Sequence, residues 1–357
     1  MSAPAGPGGA WTEGGPERVA PGVFRIPLPL PTDGLRAVNV YVIETGDGLV
    51  LIDSGWALEE ARSELNRSVK ALDHDLSDVR AFLITHVHRD HYTQAVTLRR
   101  EFGSRVFLGA DERASLRLCA EPGLLPVATQ LRLLTRSGAS RLARLIAGSM
   151  PDPDDSWLWE DPDEWIAPDT TFPMGGRALD AIHTPGHTHG HMVFRDAAAG
   201  LLFAGDHVLP HITPSIGFEP APGRLPLASY LDSLRRVREL PDTRLLPAHG
   251  PVADSVHERI DELLAHHATR LTETQAAVTG GATTAAEVAG ALTWTRRRQP
   301  FNDFDPFNQM LAINETAAHL DVLVAQGDLH AFTDGGVARY QLSATKERPA
   351  AARPAGE

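Results

Sequence analysis

Four potential metal ligands crowd into six residues of this chain, in Thr85-His86-Val87-His88-Arg89-Asp90-His91, directly after the apolar run Val79–Ile84. A short apolar run that ends in a polar cluster reads as a buried strand opening into a loop. On an extended strand end alternate side chains point the same way, so His86 and His88 share one direction. The turn that follows can bring Asp90 and His91 back towards a second point. Such a loop can serve two metal ions at once. Imidazole nitrogen and carboxylate oxygen suit zinc, with manganese or iron as alternatives.

The surrounding pattern says what carries that loop. Apolar runs at 38–43 and 49–52 flank Gly46-Asp47-Gly48, a hairpin signal, and the second run ends in Asp53-Ser54-Gly55. Residues 58–72 have helical spacing, and further strands are expected at 79–84, 106–108, 178–182, 192–194, 201–203 and 244–246. Strands alternating with helices predict a layered α/β domain. Three more ligand candidates stand after strands: His187 in Thr184-Pro185-Gly186-His187-Thr188, Asp206 in Gly205-Asp206, and His249 in Pro247-Ala248-His249-Gly250. A lone His or Asp after a strand is usually a turn residue. Together these place every polar candidate at one end of consecutive strands, where a layered α/β domain builds its site.

These motifs in this order resemble the metallo-β-lactamase fold superfamily, over residues 19–253. The resemblance implies an αββα sandwich with the site at one edge. It implies that His86, His88 and His187 hold one metal, that Asp90, His91 and His249 hold the other, and that Asp206 bridges. Asp53 matches the family's early aspartate, which supports ligands without binding metal. Two Zn2+ with a bridging hydroxide as nucleophile would then make a hydrolase, and Asp90 could also pass a proton to the leaving group.

Residues 111–169 form a long excursion, helical at first and then acidic, with Trp157, Trp159 and Trp165 close together. A lid of aromatics over a substrate and plain aromatic packing are both open readings. From Ser255 the pattern changes. Ser255 and Glu258 have capping-box spacing, amphipathic helices follow, including 283–292 and 309–326, and a hairpin signal lies at Asp334-Gly335-Gly336. The expected organisation is a flexible leader (1–17), the sandwich domain (18–254), a winged-helix-like C-terminal domain (255–344) and a disordered tail (345–357). That layout resembles the β-lactamase-like-protein subgroup.

The net charge of −13 and the absence of Lys and Arg from 309–326 disfavour a polyanionic partner; Arg296-Arg297-Arg298 reads as a solvated turn. A small acyl substrate (thioester, ester or lactone) is therefore favoured over single-stranded RNA. A non-catalytic binding protein and an iron oxygenase on the same fold are the remaining alternatives. The C-terminal module is expected to wall the cleft or to form a homodimer contact. His207 and His211 are candidates for the substrate pocket, and His191 for a ligand support. His183, His189, His266 and His267 fit packing or surface roles, and the single Cys119 a structural one. No apolar run is long enough for a membrane span, and a cytoplasmic enzyme is the expectation.

Overall fold

A computed structural model of the protein describes residues 10–30, 34–125, 127–149, 155–174, 176–295 and 298–343. Two sheets lie face to face. The first has seven strands in chain order: β1 (Glu17–Ala20), β2 (Val23–Pro29), β3 (Ala37–Thr45), β4 (Gly48–Ile52), β5 (Val79–Ile84), β6 (Arg105–Gly109) and β7 (Glu164–Ile166). The second comprises β8 (Thr170–Met174), β9 (Arg177–His183), β10 (Met192–Asp196), β11 (Leu201–Gly205) and β12 (Arg244–Pro247). Six helices accompany them: α1 (Glu59–Lys70), α2 (Arg89–Phe102), α3 (Arg113–Cys119), α4 (Ala128–Arg136), α5 (Ser140–Ser149) and α6 (Pro226–Arg238). Parallel neighbours need a crossover; α1 supplies it between β4 and β5, α2 between β5 and β6, and α6 between β11 and β12.

Strands buried on both faces must be apolar throughout. In β4, Leu49 and Leu51 pack outward against the α1 and α2 layer, while Val50 and Ile52 enter the core between the sheets with Tyr41, Phe194 and Phe203. On the far side Val193, Leu202 and Leu245 meet Tyr230 and Leu234 of α6. The result is the αββα sandwich. β2 went unread in the sequence because Pro27 and Pro29 argue against an inner strand. β1 pairs only with residues 23–25, so both prolines lie where β2 has no neighbour on that side.

The C-terminal part contains α7 (Val256–Thr279), α8 (Ala285–Ala291), the two-residue strands β13 (Thr293–Trp294) and β14 (Gln299–Pro300), α9 (Pro306–Ala325), and the hairpin β15 (Leu329–Asp334) with β16 (Val337–Leu342). Ser255 caps α7, its hydroxyl accepting from the Glu258 N–H at 3.1 Å. The helix and hairpin order expected from the pattern is present, but two expectations change. Residues 111–169 are not simply a lid: Leu134 of α4 and Ala143 and Ile146 of α5 share one core with Val288, Met310, Ile313, Leu323 and Tyr340. α9, expected as one more amphipathic helix, is largely enclosed; Met310, Ile313, His319, Leu320 and Leu323 are all buried. Its lack of basic residues reflects a position inside the molecule.

The leader expected to be disordered is anchored from residue 10 onward. Arg25 donates to the Trp11 carbonyl at 2.8 Å, and the Gly15 N–H donates to Glu64 at 2.8 Å. Residues 1–9, the tail from 345, and Arg296 and Arg297 of the basic cluster lie outside the described residues.

Candidate metal centre

Every candidate ligand leaves the sandwich at one edge. His86 and His88 follow β5, and Asp90 and His91 occupy the first turn of α2. His187 lies in the β9–β10 turn, Asp206 directly after β11, and His249 directly after β12. Close packing makes this possible. Gly205, at φ 51°, passes so near Thr85 and His191 that a Cβ would sit 2.7 Å from the one and 2.8 Å from the other.

The seven side chains converge in two groups. Nε2 of His86 and Nε2 of His187 lie 3.0 and 3.1 Å from Nδ1 of His88, and Oδ2 of Asp206 lies 3.4 Å from Nε2 of His187. In the second group Nε2 of His249 lies 3.4 Å from Oδ2 of Asp90, and Nε2 of His91 lies 3.6 Å from that same oxygen. Asp206 turns its other oxygen, Oδ1, to this group, at 3.4 Å from His249 and 3.7 Å from His91.

The partners behind the rings decide which nitrogen is bare. Nδ1 of His187 donates to the Ser215 carbonyl and Nδ1 of His249 to the Ala37 carbonyl, each at 2.8 Å. Nδ1 of His91 donates to Asp53 at 2.9 Å. A neutral imidazole with one protonated nitrogen presents a lone pair on the other, so in their neutral form all three rings turn a bare Nε2 to the cluster. Asp53, at φ 61°, also accepts from the Thr85 N–H at 2.8 Å. It supports His91 directly, and the Thr85 hydroxyl that donates to it at 3.0 Å also lies 3.0 Å from Nδ1 of His86.

Burial keeps charge off most of these rings. It pushes His88 down to about 3 and His86 well below the usual imidazole range, leaving both neutral. His91 and His249 are the exceptions: burial opposes their protonation, but Asp90, Asp53 and Asp206 raise His91 to about 10, and Asp206 and Asp90 raise His249. A divalent cation bound there would displace those protons. Buried polar atoms are nearly always partnered, yet Nε2 of His91, Nε2 of His249 and Oδ1 of Asp206 are buried with no hydrogen-bond partner. Neutral imidazoles and carboxylates aimed at common points fit divalent cations.

The family model of the metallo-beta-lactamase superfamily matches residues 33–249. The chain belongs to the metallo-beta-lactamase superfamily. A probable metallo-hydrolase of Bacillus subtilis is 25% identical over 89% of this chain and 96% of its own length. The atrochrysone carboxyl ACP thioesterase of Aspergillus fumigatus is 26% identical over 67% of this chain, which corresponds to 44% of that protein. A crystal structure of a metallo-beta-lactamase family protein from Thermus thermophilus superposes with a TM-score of 0.75 at 27% identity, covering 91% of this chain and all of that one. The resemblance read from the motifs is thereby established, and with it a metal-dependent hydrolase.

Other residues of this superfamily member fall differently from expectation. His207, read as a pocket candidate, is fully buried and packs against Tyr230 at 5.4 Å between ring centroids. His211 is exposed at the surface. His191 stacks on His86 at 5.0 Å, and its Nε2 accepts from the Asp206 N–H at 3.2 Å. His183 donates to the His189 carbonyl at 2.8 Å, away from the cluster. Burial pushes the Cys119 thiol up to about 12, so it is no nucleophile. Of the three tryptophans, Trp157 is exposed under Arg100 and Trp165 lies beneath Arg113, so neither covers the site.

Trp159 instead lines a cavity of about 370 Å3, with Leu118, Leu124, Leu125, Pro220 and Arg89. Arg89 follows the candidate ligand His88, and Phe218, two residues before Pro220, packs on the His88 ring at 5.8 Å. Arg89 stands between the candidate ligands His88 and Asp90 in the chain, so the cavity wall reaches the neighbourhood of the cluster, although none of the seven candidate ligands lines it. Sequence reasoning missed this wall, and it also missed Glu112 and Glu219. The Thr188 hydroxyl donates to Glu112, and the His189 N–H and Ser115 hydroxyl donate to Glu219 at 2.8 and 2.9 Å. Burial raises both carboxyls, Glu219 to about 7. Together they pin the loop that carries His187. No sequence signal marks them, because neither lies in a motif.

Proposed function

We propose that the protein is a binuclear hydrolase of small acyl substrates, of the thioester, ester or lactone class. His86, His88 and His187 would hold one ion, and Asp90, His91 and His249 the other. Asp206, with one oxygen turned to each group, would bridge, and this arrangement is the observation that carries the reading. Two ions bound there, of which zinc suits the donors best, would supply hydroxide near neutral pH and polarise the acyl oxygen. The Asp90 carboxylate, 15% exposed, could take the proton from the attacking water and pass it on to the departing group.

The acyl class is supported by the cavity, where Leu118, Leu124, Leu125 and Trp159 offer apolar surface beside the polar Arg89, Glu121, Thr129 and Asp155, a lining that suits an acyl arm with both apolar and polar parts. It is also supported by a relative named as a thioesterase. Nucleic acid is disfavoured by the buried α9 and the net charge of −13.

Two measurements test the reading. Metal analysis of the purified protein should give two ions per chain, and a panel of acyl thioesters, lactones, phosphodiesters and short RNAs should show turnover of the acyl compounds. A single iron with no hydrolysis, or cleavage of RNA alone, would overturn it.

A further inference from the structure

In a chain of net charge −13, residues 113–149 hold six arginines, no lysine and a single acidic residue, Glu121. All six arginines are exposed. Among the described residues none of them forms an ion pair, although Arg136 has the half-buried Asp321 as a charged neighbour. On the other side of the cavity, Asp155 pairs with Arg89, and Glu160 with Arg99 and Arg100. Arg113 lies over Trp165 at 4.6 Å and Arg132 bonds a hydroxyl, but none of the six is paired with a carboxylate at salt-bridge distance, so the face keeps a positive field that favours an acidic partner.

The arginines come in pairs on single helix faces, three or four residues apart: Arg113 and Arg117 on α3, Arg132 and Arg136 on α4, Arg141 and Arg144 on α5. Two of them stand at the rim of the cavity. Arg117 precedes the lining residue Leu118, and Arg132 donates at 2.8 Å to the hydroxyl of Thr129, itself in the wall. α5 packs on α4, so Arg141 and Arg144 extend the same basic layer. Leu145 lies among them, 56% exposed, an apolar centre in a basic rim of the kind protein partners use.

We infer that the α3–α5 face is the docking surface for an acidic carrier protein, which delivers its acyl thioester through the adjacent cavity to the metal centre. This rests on the acyl-hydrolase reading above. The charge of the face selects an acidic partner, and the cavity between Leu118, Leu124 and Trp159 takes the flexible thioester arm. Hydrolysis breaks the bond between acyl carbon and sulfur with one water, releasing the free acid and the carrier thiol.

The test compares a hexanoyl group on a bacterial acyl carrier protein with hexanoyl-CoA and with hexanoyl-N-acetylcysteamine, which has the thioester but no carrier. The variant R141E/R144E, on the helix away from the cavity wall, should raise KM for the carrier-bound substrate by about ten-fold or more. Its kcat, and turnover of the N-acetylcysteamine thioester, should stay unchanged. Calorimetric titration of metal-stripped protein with the hexanoylated carrier should show binding that weakens with salt and is lost in the variant.

Wild-type protein that cleaves the small thioester but shows no preference for the carrier, or arginine-independent turnover of it, overturns the docking surface and leaves the hydrolase reading intact. A preference for hexanoyl-CoA over the carrier overturns it too. If metal-loaded wild type cleaves none of the three, both readings fall.

Discussion

Asp206 carries more of the site than any other side chain, because it alone has an oxygen in each ligand group. Its replacement by Ala should remove both ions, whereas His88→Ala empties the first group. Metal content by mass spectrometry and hydrolysis should fall together in both variants, by about a thousand-fold in rate if the ions supply the nucleophile. Full activity in either variant ends the assignment. Asp53 belongs to a different class, since it reaches the cluster through the Nδ1 of His91 at 2.9 Å. Losing such a support typically costs ten- to a hundred-fold in metal affinity. Asp53→Ala is expected to weaken one ion by about that factor in a chelator competition while leaving the other bound. Equal loss of both would show that Asp53 maintains the whole loop.

At the scale of elements, α9 shows how context overrides composition. It reads as an amphipathic helix without basic residues, yet it is packed on by α4, α5, α6, α7, α8 and β15. Inside that packing sits Glu315. Burial raises its carboxyl to about 7, with Arg270 offering partial relief. A carboxyl whose folded pKa lies above its unfolded value keeps its proton longer in the folded state. Stability is therefore lost as pH rises from the unfolded value, near 4.5, through 7. Glu315→Gln removes that titration. It should raise stability over the wild type by about 1–2 kcal/mol at pH 8, and the gain should vanish near pH 4.5. Urea unfolding at the two pH values checks it, and a gain independent of pH would point to packing instead.

For the molecule as a whole, the shared core of α4, α5, α8, α9 and the β15–β16 hairpin has a direct consequence. Deleting residues 256–343 would strip Leu134, Ala143 and Ile146 of their partners and uncover Tyr230 and Leu202, which pack with Ile260. The truncated chain should aggregate or bind hydrophobic dyes. A soluble, metal-binding fragment ending at residue 255 would show two independent domains, as the sequence pattern suggests.

The sandwich and the ligand set were legible before any coordinates because both rest on local signals. Apolar runs with turn residues mark β3 to β6 and β9 to β12, and a histidine or aspartate just past a strand keeps its place in the chain whatever surrounds it. What the sequence alone determined is therefore the layered α/β core and the seven side chains at its edge. Only the tertiary structure decided that Asp206 divides its oxygens between two groups, that His207 is buried while Trp159 lines a cavity, and that α4 and α5 belong to the C-terminal core. Those facts depend on packing between residues far apart in the chain, such as Leu134 and Met310 in one shared core. Helical periodicity shows that a face will be covered; it does not say by what.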